Sequence, residues 1–440
     1  MRKTAEVMKN IIAAENPDLV VITGDVVTYA PGKEGWLAIG EIFEETRTPW
    51  TVTFGNHDGA EAGLSLDGIM ELLERLPHFV GENSPEGVSG SGNHVLPIFS
   101  YDGTRISALI YCFDTHNKPI AHKYGYYNWI QFDQIYWYRR TSRKFTAKNN
   151  NIPLPALAFL HIPLMEFYNV AQRETTVGNN TGRIWGAEIN SGLLSSMIEK
   201  KDIMGVFAGH CHSNDFIGIE HGIALGYGRL TGVDASGRLE RGGRIIKMYE
   251  GRHQFDTWIR TPTGTEFEFF FPSGISLAEE ENMEFQPALN INIETLQQGV
   301  AYRYYEADFA LRHTSMIADA TLIREGIQHN FCIASATAAD SMAFDFRAYI
   351  KIPERAVYQF YTFSDDGSVL FINGQVVVDN DGAGPLRRAN GRVALEAGFH
   401  EIRVLYFENR MFEFLEVGIS SRHMREMVIP DHMLFTPKVE

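Results

Sequence analysis

The chain has 440 residues, so at roughly 150 residues per domain it should fold as two or three domains. Its composition, 44% apolar and 21% charged, excludes a mostly disordered or collagen-like chain, and a net charge of −16 repels a phosphate backbone and excludes a general nucleic-acid binder. No apolar run approaches the roughly 18 residues that span a bilayer, and three cysteines without a C-x-x-C spacing indicate neither a disulfide framework nor a cysteine zinc site.

The polar start MRKTAEVMKN lacks the apolar core of a signal peptide. As written, the protein is expected to be soluble and cytoplasmic; a signal peptide upstream of Met1 would make it exported. Along residues 1–260 short apolar runs alternate with longer mixed stretches, the pattern of an α/β layered domain. The expected strands are Leu19–Thr23, Trp50–Phe54, Ile106–Phe113, Ala156–Leu160 and Ile203–Ala208. Near-continuous apolar strands belong to sheets covered on both faces, whose ligands bind at the carboxyl ends of the strands. Residues 261–298 carry the turn sequences TPTG and PSG and the acidic run Glu279, Glu280 and Glu281, and read as a linker with at most one closing strand. From 299 to 437, segments such as YRYYEADF, DFRAYIKI, YQFYTFS and HEIRVLYFE are rich in β-branched and aromatic residues at short, turn-punctuated spacings, so an all-β sandwich is expected.

Chemistry-bearing residues gather at the strand ends. They are TGD with Asp25, FGNHD with Asn56, His57 and Asp58, LHIP with His161, and AGHCH with His210 and His212. Taken singly, each suits a turn, a cap or a satisfied core histidine. Taken together and in order, they supply hard oxygen and borderline nitrogen donors, a mixture that suits Zn, Fe, Mn or Co. Two cations a few ångströms apart need a bridging carboxylate, neutral donors and an open position for water and phosphate. Asp25 is the best bridge. In AGHCH the two histidines are one residue apart, so on an extended backbone both would project to one side.

Other patterns fail. GYGRLTG (226–232) has Thr231 in place of the third glycine of a dinucleotide fingerprint, GVSGS (87–91) misses the serine-hydrolase elbow, and VVDNDG (377–382) misses the calcium loop. The sequon Asn179-Asn180-Thr181 is no more than chance supplies in a chain of this length.

The ordered set GD, GNHD, H and GHxH resembles the calcineurin-like metallophosphoesterases, which include the purple acid phosphatases. YGYYNWIQFDQIYWYRRTS followed by PALAFLHIPLMEF is similar to their single-domain purple-acid-phosphatase-like subgroup. The resemblance implies a four-layer sandwich of two mixed sheets flanked by helices. It implies that Asp25 bridges two metal ions, that Asn56, His161 and His210 complete one shell, and that His212 belongs to the other. His57 would be general acid or phosphate ligand, with Asp58 orienting it. Family members begin with a strand ending in Asp-x-His, which supplies two further ligands. The sole internal Asp-x-His, Asp114-Thr115-His116, follows a different strand. One metal per chain is therefore expected rather than two, or else a gene start placed too late.

Residues 299–437 resemble the β-sandwich module named after anthrax protective antigen, through SDDGS, VVVDNDG and EAGFHEIRVLYFE. The resemblance implies calcium on Asp365, Asp366 and Asn380 and binding of carbohydrate; the same residues also suit plain turns. The expected function is hydrolysis of a phosphomonoester or phosphodiester by metal-bound hydroxide. The alternative is a carbohydrate-binding protein with an inactive phosphoesterase domain. Loops 78–97 and 168–190 are expected to shape the pocket.

Overall fold

Along Ile106–Cys112 the side chains alternate between two cores: Leu109 and Tyr111 enter one, Ile110 and Cys112 the other. A strand apolar at all but one position, Ser107, is what burial on both faces demands. The computed structural model describes residues 2–117, 122–424 and 426–438, and the chain divides into two units, Met1–Leu277 and Ala278–Glu440.

In the first unit the strands are β1 (Val20–Ile22), β2 (Trp50–Val52), β3 (His94–Phe99), β4 (Ile106–Cys112), β5 (Ala156–Phe159), β6 (Ile203–Ala208), β7 (Ile217–Glu220) and β8 (Ile223–Tyr227), then β9 (Gly243–Met248), β10 (Phe255–Thr261), β11 (Gly264–Phe271) and β12 (Ile275–Ser276). The five strands expected from the pattern all form, to within two residues at their ends. One sheet runs β3-β4-β5-β6-β8-β7, with β4, β5, β6 and β8 parallel and antiparallel edges. Its outer face packs on helices α4 (Phe132–Lys148), α5 (Phe167–Ala171) and α6 (Leu193–Lys200) through Trp137, Tyr138, Phe167, Val170 and Leu194. Its inner face meets the antiparallel ladder β9 to β12 through Leu157, Phe207, Phe255, Phe269 and Phe271, with Val21 of β1 in the same core. The parallel pair β1-β2 is covered by α1 (Arg2–Glu15), α2 (Gly32–Thr46) and α3 (Leu66–Leu73), around Trp36, Phe43, Trp50 and Met70. These are the four layers, helices outside and sheets within.

The boundary between the units falls within the stretch read as linker, but the part up to Leu277 belongs to the first unit. β11 pairs with β10 from Phe255↔Phe271 to Thr261↔Gly264, so TPTG is a hairpin turn inside the first unit. The reason is apolar: Phe269, Phe270 and Phe271 are all buried, and they follow the alternating run Glu266-Phe267-Glu268, which marks a strand that the turn residues on either side obscured. Glu279, Glu280 and Glu281 lie in a short helix at the start of the second unit, where Glu279 bonds Arg392.

The second unit is β-rich. Its strands are β13 (Leu296–Gln298), β14 (Val300–Glu306), β15 (Thr321–Gln328), β16 (Met342–Ile352), β17 (Ala356–Asp365), β18 (Gly367–Ile372), β19 (Gln375–Asn380), β20 (Arg387–Leu395), β21 (Gly398–Glu408), β22 (Phe414–Ser421), β23 (Met427–Val428) and β24 (Leu434–Pro437). An eight-stranded sheet built on β16 and β21 faces the four-stranded sheet β20-β17-β22-β23 across a core of Phe344, Phe346, Tyr358, Phe360, Val404, Tyr406 and Ile419. Among the described residues no helix is long and apolar enough to cross a membrane.

Candidate metal centre

Every polar block identified in the sequence of the first unit lies just past the carboxyl end of a strand: Asp25 after β1, Asn56 after β2, His161 after β5 and His210 after β6. Their loops approach so closely that two glycines are obligatory. A Cβ on Gly24, whose φ is +85°, would stand 2.5 Å from His161 Nδ1, and one on Gly55 would stand 2.3 Å from Asp25 Oδ1. Asp25 and His210 themselves take positive φ values of 52° and 70°, which turn their side chains back over the sheet edge.

His161 is the centre of the group. Its Nδ1–H donates to the Thr23 carbonyl at 2.6 Å, which turns Nε2 toward the other residues; burial opposes protonation there, but the bond and charge of Asp25 raise the pKa of the ring. That Nε2 lies 3.2 Å from Asp25 Oδ2, 3.1 Å from Asn56 Oδ1 and 3.1 Å from His210 Nδ1. The Asp25 and Asn56 oxygens bring lone pairs and no proton, and His210 adds a buried Nε2 without a hydrogen-bond partner. Asp25, His161 and His210 each offer a ligand atom within 4.8 Å of the others. Burial opposes ionisation of Asp25, but the bond and charge of His161, with the amide of His57, hold its carboxyl at about 2. Burial, with His161 beside it, pushes His210 down to about 3, so both groups are unprotonated at neutral pH. A neutral imidazole, a carboxylate and an amide oxygen are ligands that fit Zn, Fe or Mn.

One expected role changes. Asp58 does not orient His57: its Oδ1 accepts from the amides of Val26 and Val27 at 2.9 and 3.1 Å, and its Oδ2 from those of Asp25 and Gly55 at 2.8 and 2.9 Å. It is 7% exposed and braces the two loops, and burial pushes its carboxyl up to about 6 against the pull of the Gly55 amide. The carboxylate on His57 is Glu61, whose Oε2 lies 2.9 Å from His57 Nδ1, one helical turn on at spacing i+4. The ring is half exposed and its backbone amide donates to Asp25 Oδ1 at 2.8 Å.

His212 stands outside the cluster, with Nδ1 on the Ser236 carbonyl at 3.0 Å. The positive φ of His210 breaks the extended geometry on which a same-side pair depended. Asp114 and His116 do not substitute either. Asp114 accepts from the Ser91 and His116 amides, His116 Nε2 meets Gln134 Oε1 at 2.9 Å, and both line a cavity of about 370 Å³ that also takes in Gly55 and Asp58.

Sequence reasoning missed Glu61, Thr23 and Tyr127. Only Glu61 had a signal, its i+4 spacing from His57. Thr23 acts through a backbone carbonyl, and Tyr127 stands edge-on to His210 with ring centroids 4.7 Å apart, from a loop 83 positions away.

The sequence model of the calcineurin-like phosphoesterase family matches residues 1–214. "Probable inactive purple acid phosphatase 29" of Arabidopsis thaliana is 31% identical over 270 residues, covering 57% of this chain and 69% of that protein. The chain belongs to the calcineurin-like phosphoesterase family. "Probable inactive purple acid phosphatase 14" of the same plant is 27% identical, over 67% of this chain and 80% of that one. "Phosphatase DCR2" of Saccharomyces cerevisiae is 26% identical, over 61% and 49%.

The PA14 domain model matches residues 296–431, so the chain carries a PA14 domain in its second unit. Among solved structures, the PA14 domain of the MpAFP antifreeze protein is similar at 15% identity and a TM-score of 0.28, covering 34% of this chain and 95% of that one. In that unit Asp365, Asp366 and Glu408 converge. Glu408 is fully buried, neither of its oxygens has a partner in hydrogen-bonding geometry, and burial beside Asp366 and Asp365 pushes its carboxyl up to about 8. Asn380, expected in this group, donates its Nδ2 hydrogens to Ser364 Oγ and the Arg387 carbonyl, both at 3.1 Å.

Proposed function

We propose that the first unit hydrolyses a phosphate ester with a bound metal ion, held by Asp25, Asn56, His161 and His210. The observation that carries this reading is the convergence of a carboxylate oxygen, an amide oxygen and two imidazole rings on one point, a donor set that a cation would fill in place of the His161 proton. Zn, Fe or Mn would supply Lewis acidity there and a water that ionises near neutral pH. His57 is the proton donor to the departing oxygen. Glu61 holds its Nδ1, which leaves Nε2 as the free end, and the bond from its amide to Asp25 fixes the ring's base beside the cluster. As water adds to phosphorus and the ester P–O bond breaks, the leaving oxygen takes the proton from Nε2. Asp58 keeps the Asp25 and Asn56 loops in register for this.

A metal-supplemented assay on a chromogenic phosphomonoester tests the reading. His57→Ala should lower the rate by roughly 10²- to 10⁴-fold, the usual worth of a placed proton donor. A rate unaffected by that change overturns the enzyme reading and leaves the second unit as the functional one.

For the second unit we infer a cation at Asp365, Asp366 and Glu408 that serves carbohydrate binding. The buried Glu408 carboxyl favours it, because burial beside two aspartates keeps it from ionising and a cation there would offset that cost.

A further inference from the structure

Two loops meet beside the His210 end of the cluster, and both present exposed aromatic rings. Residues 124–129 contribute Tyr126, 55% exposed, and Tyr127, whose ring stands against Tyr126 at 4.9 Å and edge-on to His210 at 4.7 Å. Residues 183–188 contribute Trp185, 45% exposed, with the Arg183 guanidinium 4.2 Å above its ring. The Trp185 amide bonds Cys211 Sγ at 3.3 Å, so this loop is tied to the residue that follows His210.

The loops also touch each other. Gly125 has a φ of +106°, and a Cβ there would lie 3.0 Å from the Glu188 side chain, so only glycine allows that closeness. The first loop is moored to the opposite side of the centre as well: the Asn128 amide donates to the Asn117 carbonyl at 3.0 Å, and Asn117 Nδ2 donates to the Asn56 carbonyl at 2.6 Å. The rings are thus fixed relative to the ligand residues by hydrogen bonds on both sides. Exposed aromatic side chains held in place beside a phosphate site are costly to leave in water and well suited to stacking.

We propose that Tyr126, Tyr127 and Trp185 form an aromatic lip that selects phosphate esters carrying a planar ring at or near the ester oxygen, with Arg183 drawing in the anion. The inference rests on the phosphate-ester reading of the same site and names its substrate class. A flat ring stacks on Tyr and Trp regardless of its substituents, so the lip discriminates aryl and nucleoside esters from aliphatic ones such as glycerol phosphate.

The test uses the metal-supplemented full chain and three phosphonates that cannot be hydrolysed, with binding followed by calorimetry. Phenylphosphonate and the 5′-phosphonate of adenosine are each expected to bind more tightly than methylphosphonate, the better of them by ~10-fold, and the tighter of the two names the source of the ring. Trp185→Leu and Tyr126→Ser should each narrow that gap by about threefold while methylphosphonate affinity holds, and Trp185→Phe should keep it. Equal affinity for all three ligands, or a gap that survives both ring deletions, overturns the lip. If none of the phosphonates binds, the phosphate site itself falls and the lip with it.

Discussion

Replacing Asp58 by Asn keeps the shape of the side chain and exchanges one acceptor oxygen for an amide nitrogen. In the native arrangement each carboxylate oxygen serves two backbone amides, Val26 and Val27 on one, Asp25 and Gly55 on the other. Asn can satisfy one pair only. Its NH₂ group then faces the other two N–H groups, donor against donor, in a site where Asp58 is 7% exposed. Leaving a buried donor unpaired costs about 1–3 kcal/mol, so two of them cost about 2–6 kcal/mol, a large share of the 5–15 kcal/mol that stabilises a typical domain. The Asp25 loop should loosen with it, and disturbing a partner behind a metal ligand lowers metal affinity by roughly 10- to 100-fold. Urea unfolding of the metal-free protein and elemental analysis after dialysis read the two effects. If Asp58→Asn instead retains stability to within about 1 kcal/mol and full metal content, while the pH dependence of turnover shifts, then Asp58 acts on His57 and the bracing role is wrong.

Acid should destabilise the first unit through His94. Its Nδ1 meets the Gly92 carbonyl and its Nε2 the Thr51 hydroxyl, both at 2.8 Å, so the neutral ring is fully satisfied, and burial pushes it down to about 4 from 6.5. The unfolded chain takes up the proton first, so this contribution is complete above pH 6.5 and is lost as pH falls toward 4, about 3 kcal/mol in all. Urea midpoints for the native chain and His94→Gln should converge over that window, and curves that stay parallel refute the assignment. Calcium at about 100 times its Kd should stabilise the second unit by about 2.7 kcal/mol, read as a rise in its Tm. Glu408→Gln should melt higher than the native chain without calcium and lose the calcium response, whereas a native chain indifferent to calcium removes the cation site. Limited proteolysis should cut between about residues 279 and 293 and leave 255–276 intact, because β10 to β12 are paired within the first unit. Early cleavage within 262–270 would contradict that pairing.

The layered order of strands and the position of the polar blocks were legible in the sequence because both rest on local rules. A strand buried on two faces must be apolar throughout, and a chain that turns at its carboxyl end needs glycine and a short polar residue there. Hence Asp25, Asn56, His161 and His210 could be singled out residue by residue, and the structure brings these four together. What tertiary structure alone decided was which atoms face which. Asp58 bonds amides more than thirty positions upstream, His161 is fixed by the backbone carbonyl of Thr23, and Tyr127 reaches His210 from a distant loop. The same-side projection of His210 and His212 did not follow, because a left-handed backbone at His210 replaced the extended one that the spacing presupposed. Glu408 went unseen because it ends a strand whose period-two pattern gives no sign that its last inward position lies beside two aspartates. Side-chain type and turn chemistry are properties of neighbours along the chain, whereas hydrogen-bond partners and burial of a charge are set by segments that only the folded chain makes adjacent.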